Sequence, residues 1–187
     1  MTGINGHVKT LTKLARIIDA SQTCRRRHCY KVEQHAIFVC KKLSLPSREV
    51  KIIKIASILH DIGKIGIDLN IIKKPAKLTT SEWADVRMHP GIGANIIRQL
   101  GFLDDIVPSV MYHHSRFEGG GYPDPNMSGE AIPIGSRIIS VVDAFDAMTS
   151  DRPYRKAMSR ETAFAELERC SGTQFDPRIV KTFLDVV

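Results

Sequence analysis

Apolar residues along this chain recur at spacings of three and four, the repeat of one helical face. Val32, Ala36, Val39 and Leu43 form one stripe, Ile52, Ile55, Ala56 and Leu59 a second, and Ile138, Val141, Val142, Phe145 and Met148 the clearest. Boundary signals fall where these stripes need them. Thr79 followed by Glu82 has the spacing of a capping box. Gly101 stands where a helix would close on a glycine. Asp176-Pro177 supplies an N-cap and a first-turn proline ahead of Ile179, Val180, Phe183 and Leu184. No stretch alternates at period two for long enough to predict a sheet, and the Gly- and Pro-rich segment 118–133 predicts a loop. No repeat or low-complexity linker interrupts the pattern. The expectation is an all-α, single-domain helical bundle over residues 1–187, with residues 1–22 as a lead-in helix.

Composition narrows the class without naming a function. The chain has 187 residues, 43% of them hydrophobic and 25% charged, which suits one domain with a buried core and argues against disorder. Its apolar runs fall far short of the roughly 18 residues that span a bilayer, and the N-terminus lacks the apolar core of a secretory signal. Four cysteines, Cys24, Cys29, Cys40 and Cys170, show no CxxC spacing, so reduced thiols and a cytoplasmic location are expected. The net charge of +7 suits an anionic partner. The basic residues are scattered short groups with few aromatics between them, so a nucleic-acid polymer is not expected.

The histidines carry the chemistry. There are seven: His7, His28, His35, His60, His89, His113 and His114. His60-Asp61 closes an amphipathic helix, and an imidazole beside a carboxylate offers the mixed N/O donors that suit Fe, Mn or Zn better than a thiolate site. If that helix continues past Asp61, Lys64 lies one turn from His60, where it could touch a phosphate held by metals. His89 precedes Pro90 at an expected element boundary, with a backbone biased away from helix. His113 and His114 end a helical stretch opening near Asp104. Neighbours on a helix diverge by about 100°, so both can ligate only between two metals or at a distorted helix end. Asp143 and Asp146 share a face of an otherwise apolar helix, where a carboxylate must face solvent or meet a cation. Taken singly, each of these residues has an ordinary structural reading; their accumulation points to a metal centre.

Read together, His60-Asp61-Ile62-Gly63-Lys64 and, after His113-His114, Gly121-Tyr122-Pro123 resemble the HD-GYP subgroup of the HD phosphohydrolase superfamily. The stretches from Ser150 to Arg155 and from Gly172 to Pro177 fit the same family, and the likeness covers residues 28–183. The resemblance implies an HD-type helical bundle that hydrolyses the bacterial messenger cyclic di-GMP to linear pGpG or GMP. It further implies two divalent metals, iron first and manganese as the alternative. Carried over by position, the metal ligands are His28, His60, Asp61, His89, His113, His114 and Asp143, with Asp61 bridging. Lys64, Asp146, Arg152 and Arg155 fall at positions near the substrate or its phosphates. Gly121, Tyr122 and Pro123 would shape the site and meet a signalling-protein partner. His7 and His35 match no ligand position.

Two cations sharing a water would lower its pKa toward neutrality and generate the attacking hydroxide, while Lys64 offsets charge in the transition state. Three positions depart from the family pattern: Cys24 where three-metal members carry a glutamate, Ser115 after the histidine pair, and Glu118 before the glycines. Cys24 favours the two-metal form. Two other readings compete: a weakly active or inactive module that senses the messenger or binds a partner, and a phosphohydrolase for another nucleotide such as a mixed cyclic dinucleotide.

Overall fold

The computed structural model describes residues 2–22, 28–151 and 156–185. Ten α-helices lie within them: α1 Thr2–Gln22, α2 His28–Lys42, α3 Ser47–Leu59, α4 Leu69–Ile72, α5 Thr80–Val86, α6 His89–Leu100, α7 Val107–Met111, α8 Ile134–Met148, α9 Arg160–Arg169 and α10 Pro177–Leu184. Short 3₁₀ turns occupy Ile62–Gly66, Asp104–Ile106 and Gly129–Ala131. Among the described residues, the only β feature is an isolated bridge between Ser171 and Phe175.

The caps follow the chemistry of the sequence. The Thr79 hydroxyl accepts from the Glu82 amide while the Glu82 carboxylate accepts from the Thr79 amide, a complete capping box. Gly101 closes α6 at φ 69°, a left-handed conformation that costs glycine little. Asp176 caps α10 through the Arg178 amide with Pro177 in the first turn, and its other oxygen takes Arg137 of α8 at 2.6 Å.

Two apolar clusters make the core. One joins Val32, Ala36 and Val39 of α2 to Val141, Val142 and Phe145 of α8, Leu167 of α9 and Phe183 of α10. The other joins Ala15 and Ile18 of α1 to Ala56 and Leu59 of α3, Ile97 of α6 and Val110 of α7. Helices α3 and α8 contribute to both: Ile53 and Ile138 point into the first, Ala56 and Ile139 into the second. The seam between the clusters is therefore where the ends of α3, α6 and α7 and the flanks of α2 and α8 converge.

Three local expectations need correction. Helix α3 stops at Leu59, and Lys64 lies in the following 3₁₀ turn instead of on a continued helix. The stretch from Asp104 is a 3₁₀ turn followed by the short α7, which ends at Met111 before the histidine pair. His89, expected outside the helical region, opens α6, because Pro90 is accommodated in the first turn where its missing N–H is not needed.

Candidate metal centre

Five helices each bring one or two polar side chains to the seam. His28 begins α2, His60-Asp61 follows α3, His89 begins α6, His113-His114 follow α7, and Asp143 and Asp146 lie one turn apart on α8. A glycine is required where two of these elements meet. A Cβ on Gly63 would lie 1.9 Å from the carbonyl oxygen of His89 and 2.5 Å from the amide nitrogen of Gly93. Only a residue without a side chain lets the turn after Asp61 sit against the start of α6.

The donor atoms form overlapping triads. Ligand atoms of His28, His60 and Asp143 lie within 4.8 Å of one another, as do those of His89, His113 and His114, and those of His60, Asp61 and His113. Asp61 faces both sides. Its Oδ1 is 3.3 Å from His89 Nε2, and its Oδ2 is 3.5 Å from His60 Nε2 and 3.8 Å from His28 Nε2. Lys64 forms an ion pair with the same Oδ2.

Hydrogen bonds assign the tautomers. The Nδ1–H groups of His60, His89 and His113 donate to the carbonyls of Ser57 (2.8 Å), Val86 (2.7 Å) and Val110 (2.7 Å). Carbonyls only accept, so each neutral ring must carry its proton on Nδ1 and present a bare lone pair at Nε2. His89 Nε2 and His113 Nε2 then face each other at 3.2 Å. His60 Nε2 is buried with no hydrogen-bond partner among the described residues. Opposed lone pairs and an orphaned buried nitrogen are unfavourable unless a cation lies between them. The donor set fits two divalent metals on that ground. His28 differs: its Nδ1 donates to Asp146 Oδ2 at 2.7 Å, and its Nε2 is 3.4 Å from Asp143 Oδ1.

Electrostatics keep four of the donors unprotonated. Burial, with His28 and Lys64 adding to it, lowers His60. Burial and the neighbouring His114, His60 and His89 hold His113 well below an ordinary histidine. Burial and His89 bring His114 to about 3. Burial works to raise the Asp61 carboxyl, but Lys64, His60 and His89 outweigh it and hold it well below the usual carboxylate range. His60, His113 and His114 are thereby held as neutral imidazoles and Asp61 as a carboxylate, the forms that bind metal.

The loop after the histidines closes over them. Tyr122 stacks on His114 with centroids 4.8 Å apart, and the Arg87 guanidinium lies 5.5 Å from the centroid of the Tyr122 ring. Burial, aided by Asp61 and Asp143, raises the Tyr122 hydroxyl, so it stays a phenol. Gly121 is fixed by contact, since a Cβ there would lie 2.4 Å from the Arg116 amide nitrogen. Gly119 and Gly120 take φ of 97° and 78°. The loop is tied down from outside: the amides of Phe117 and Glu118 donate to Gln174 and Thr173 carbonyls at 3.1 and 2.8 Å. That gives the Gly172–Pro177 stretch a structural task.

The seven proposed ligands, His28, His60, Asp61, His89, His113, His114 and Asp143, converge here, with Lys64 on Asp61 and Tyr122 on His114. Pro123 is exposed on the loop. Arg152 and Arg155, and Cys24, lie outside the described residues. Asp146 departs from its expected place near substrate. It is 1% exposed, and its oxygens engage His28, Lys31 (3.2 Å) and Ser150 (3.3 Å). A side chain so enclosed has no surface to offer a substrate. Ser115, buried beside the centre, has a hydroxyl without a hydrogen-bond partner among the described residues. His35 sits apart, edge-on to Phe145 and Phe183. Sequence reasoning missed Arg87, whose only signal was its position two residues before His89.

Known proteins resemble this chain in sequence and in fold. The HD domain family matches residues 5–179. The cyclic di-GMP phosphodiesterase response regulator RpfG of Xanthomonas campestris is 39% identical over 178 residues, 94% of this chain and 47% of that protein. The 3′3′-cGAMP-specific phosphodiesterase 3 of Vibrio cholerae is 32% identical over 167 residues, 89% of this chain and 36% of that protein. The chain thus spans about half or less of the length of these curated relatives. Among solved structures, the V. cholerae cyclic GMP-AMP phosphodiesterase V-cGAP3 superposes with a TM-score of 0.73 at 19% identity, over 95% of this chain and 48% of that one. The Listeria monocytogenes PgpH HD domain in complex with cyclic-di-AMP gives 0.68 at 16% identity, over 95% and 92%. These two likenesses show the fold.

Proposed function

The chain belongs to the HD domain family, and from that premise we propose that its histidine–aspartate centre is a two-metal phosphodiesterase site for a cyclic dinucleotide. Cyclic di-GMP is the substrate in this reading, cleaved to linear pGpG or GMP. One observation carries it: two ligand triads joined through the two oxygens of Asp61, with bare Nε2 atoms turned inward. The names of relatives at 39% and 32% identity point to the same reaction class.

Each side chain has a task. His28, His60 and Asp143 with Oδ2 of Asp61 would hold one cation, and His89, His113 and His114 with Oδ1 the other; iron is the metal we assign. Bound there, two such cations supply an activated water and Lewis-acid stabilisation of the phosphate oxygens. Lys64 sets a fixed positive charge beside Asp61, where a phosphate oxygen would gain negative charge. Tyr122 covers His114 and presents a phenol at the rim. Arg152 and Arg155 are assigned to the substrate phosphates by position, and the net charge of +7 favours approach of an anionic substrate. The outer part of the loop, Glu118 and Pro123 included, is exposed and would meet a signalling partner. No helix among the described residues is long and apolar enough to cross a membrane. We assign the activity to the cytoplasm on the strength of the proposed substrate class.

The test is to load the anaerobic protein with Fe(II) or Mn(II), add cyclic di-GMP or 3′3′-cGAMP, and follow products by chromatography. Asp61→Ala runs alongside, with metal content measured on both. Linear dinucleotide from the wild type alone supports the reading, and preference for 3′3′-cGAMP reassigns the base specificity. No product from either substrate at full metal occupancy rejects the reading.

A further inference from the structure

The two halves of the centre are built differently. On one side, the His28 ring is anchored at Nδ1, which donates to Asp146 Oδ2 at 2.7 Å, while its Nε2 faces Asp143 Oδ1 at 3.4 Å; the two carboxylates lie one turn apart on α8. Lys31 at 3.2 Å and Ser150 at 3.3 Å occupy the other Asp146 oxygen, so this carboxylate, 1% exposed, is fixed in place. On the other side, His89 and His113 lean on neutral backbone carbonyls.

A carboxylate behind an imidazole makes the far nitrogen a stronger donor than a carbonyl does, and it fixes the ring. The half around His28 also offers a carboxylate of its own, Asp143, where the other offers a third imidazole. Hard divalent cations prefer oxygen-rich sets. Building on the two-metal reading, we propose that Asp146 is a positioning residue that makes the two metal subsites unequal. The His28–His60–Asp143 subsite fills first with a hard cation, and Asp146 is the reason that one subsite depends on a residue that touches no metal.

Metal-free protein titrated with Mn(II), read by calorimetry and by the resonance of free Mn(II), tests this without any activity measurement. The wild type should bind in two resolved steps. Asp146→Asn keeps shape and an acceptor but removes charge; it should weaken the tight step by about 10–100-fold and leave the loose step within about threefold. In a second pair, His28→Ala should abolish the tight step and His114→Ala should spare it, which decides the order of filling even if Asp146→Asn fails to fold by circular dichroism. Two equal steps in the wild type, a tight step lost with His114→Ala, or an Asp146→Asn effect shared equally by both steps would overturn the proposal. Absence of Mn(II) binding to the wild type would instead bring down the two-metal reading itself.

Discussion

His60, His89 and His113 are held by their own chain, each ring bonded to a carbonyl three residues back. His28 and His114 are held from elsewhere, the first by a carboxylate 118 positions away and the second by the Tyr122 ring. The difference separates two kinds of precision. A ring tied to the preceding turn is aimed as soon as that turn forms. A ring tied to another helix or a loop is aimed only when the tertiary contact is intact. Each half of the centre combines both kinds, so each has a fixed part and one member that depends on tertiary contacts.

Removing Asp61 would erase the distinction, because both halves share it. Asp61→Ala should lower turnover by about 10³-fold or more, beyond the loss from a single transition-state donor, and reduce bound metal on both sides. Chromatographic rates and metal analysis check it, and retention of one full equivalent of metal would show that the halves are independent. Gly63→Ala strikes the self-held set. Its Cβ has no room against the His89 backbone, so α6 must shift at a cost of at least about 1–3 kcal/mol. A lowered Tm together with poorer metal binding is expected; an unchanged Tm would mean that the turn and α6 part easily.

Acid tests the burial that both sets share. His60, His113 and His114 have folded pKa values below the ordinary 6.5, His114 down to about 3. As the pH falls, the unfolded chain takes up protons before the folded one. The stability these groups provide is therefore complete above about pH 6.5 and is lost on acidification, with Asp61, also lowered, adding a loss in the same direction near pH 4. The Tm of the metal-free protein should fall steadily from pH 7 to pH 5. A flat profile would contradict the neutral, buried state of these rings.

How much of this could be read from the chain depends on the range of the contact. The capping box at Thr79, the glycine at 101 and the start at Asp176 were legible because each is settled within a few residues. The stripes on α2, α3 and α8 marked core faces for the same reason. The ligand residues were legible as chemistry, and the resemblance ordered them. What the pattern could not show was how the rings are aimed. Nothing near Asp146 in sequence announces that it faces His28 instead of substrate, since the pairing exists only once α2 and α8 pack. The end of α3 before Lys64 was hidden too, because its cause is a tertiary one: Gly63 lets the turn press against α6.

The smallest effects belong to the stack over His114, and they separate orientation from simple cover. Tyr122→Leu keeps an apolar lid but removes the ring, a loss of about 0.5–1.5 kcal/mol, or roughly 2–12-fold in affinity for the second, weaker metal. Tyr122→Phe keeps the ring and should bind metal as the wild type does, because the Tyr122 hydroxyl plays no part in the stack. Arg87→Ala removes an exposed guanidinium from the outer face of the same ring, worth about 0.5–1 kcal/mol, or roughly two- to fivefold. If Arg87 acts through Tyr122, its removal should cost nothing further once Tyr122 is leucine, and calorimetry on the double variant reads that directly. Additive losses would mean that Arg87 supports the metal half by a route other than the Tyr122 ring. Electrostatics alone is not that route, since removing a cation near a metal site should strengthen metal binding.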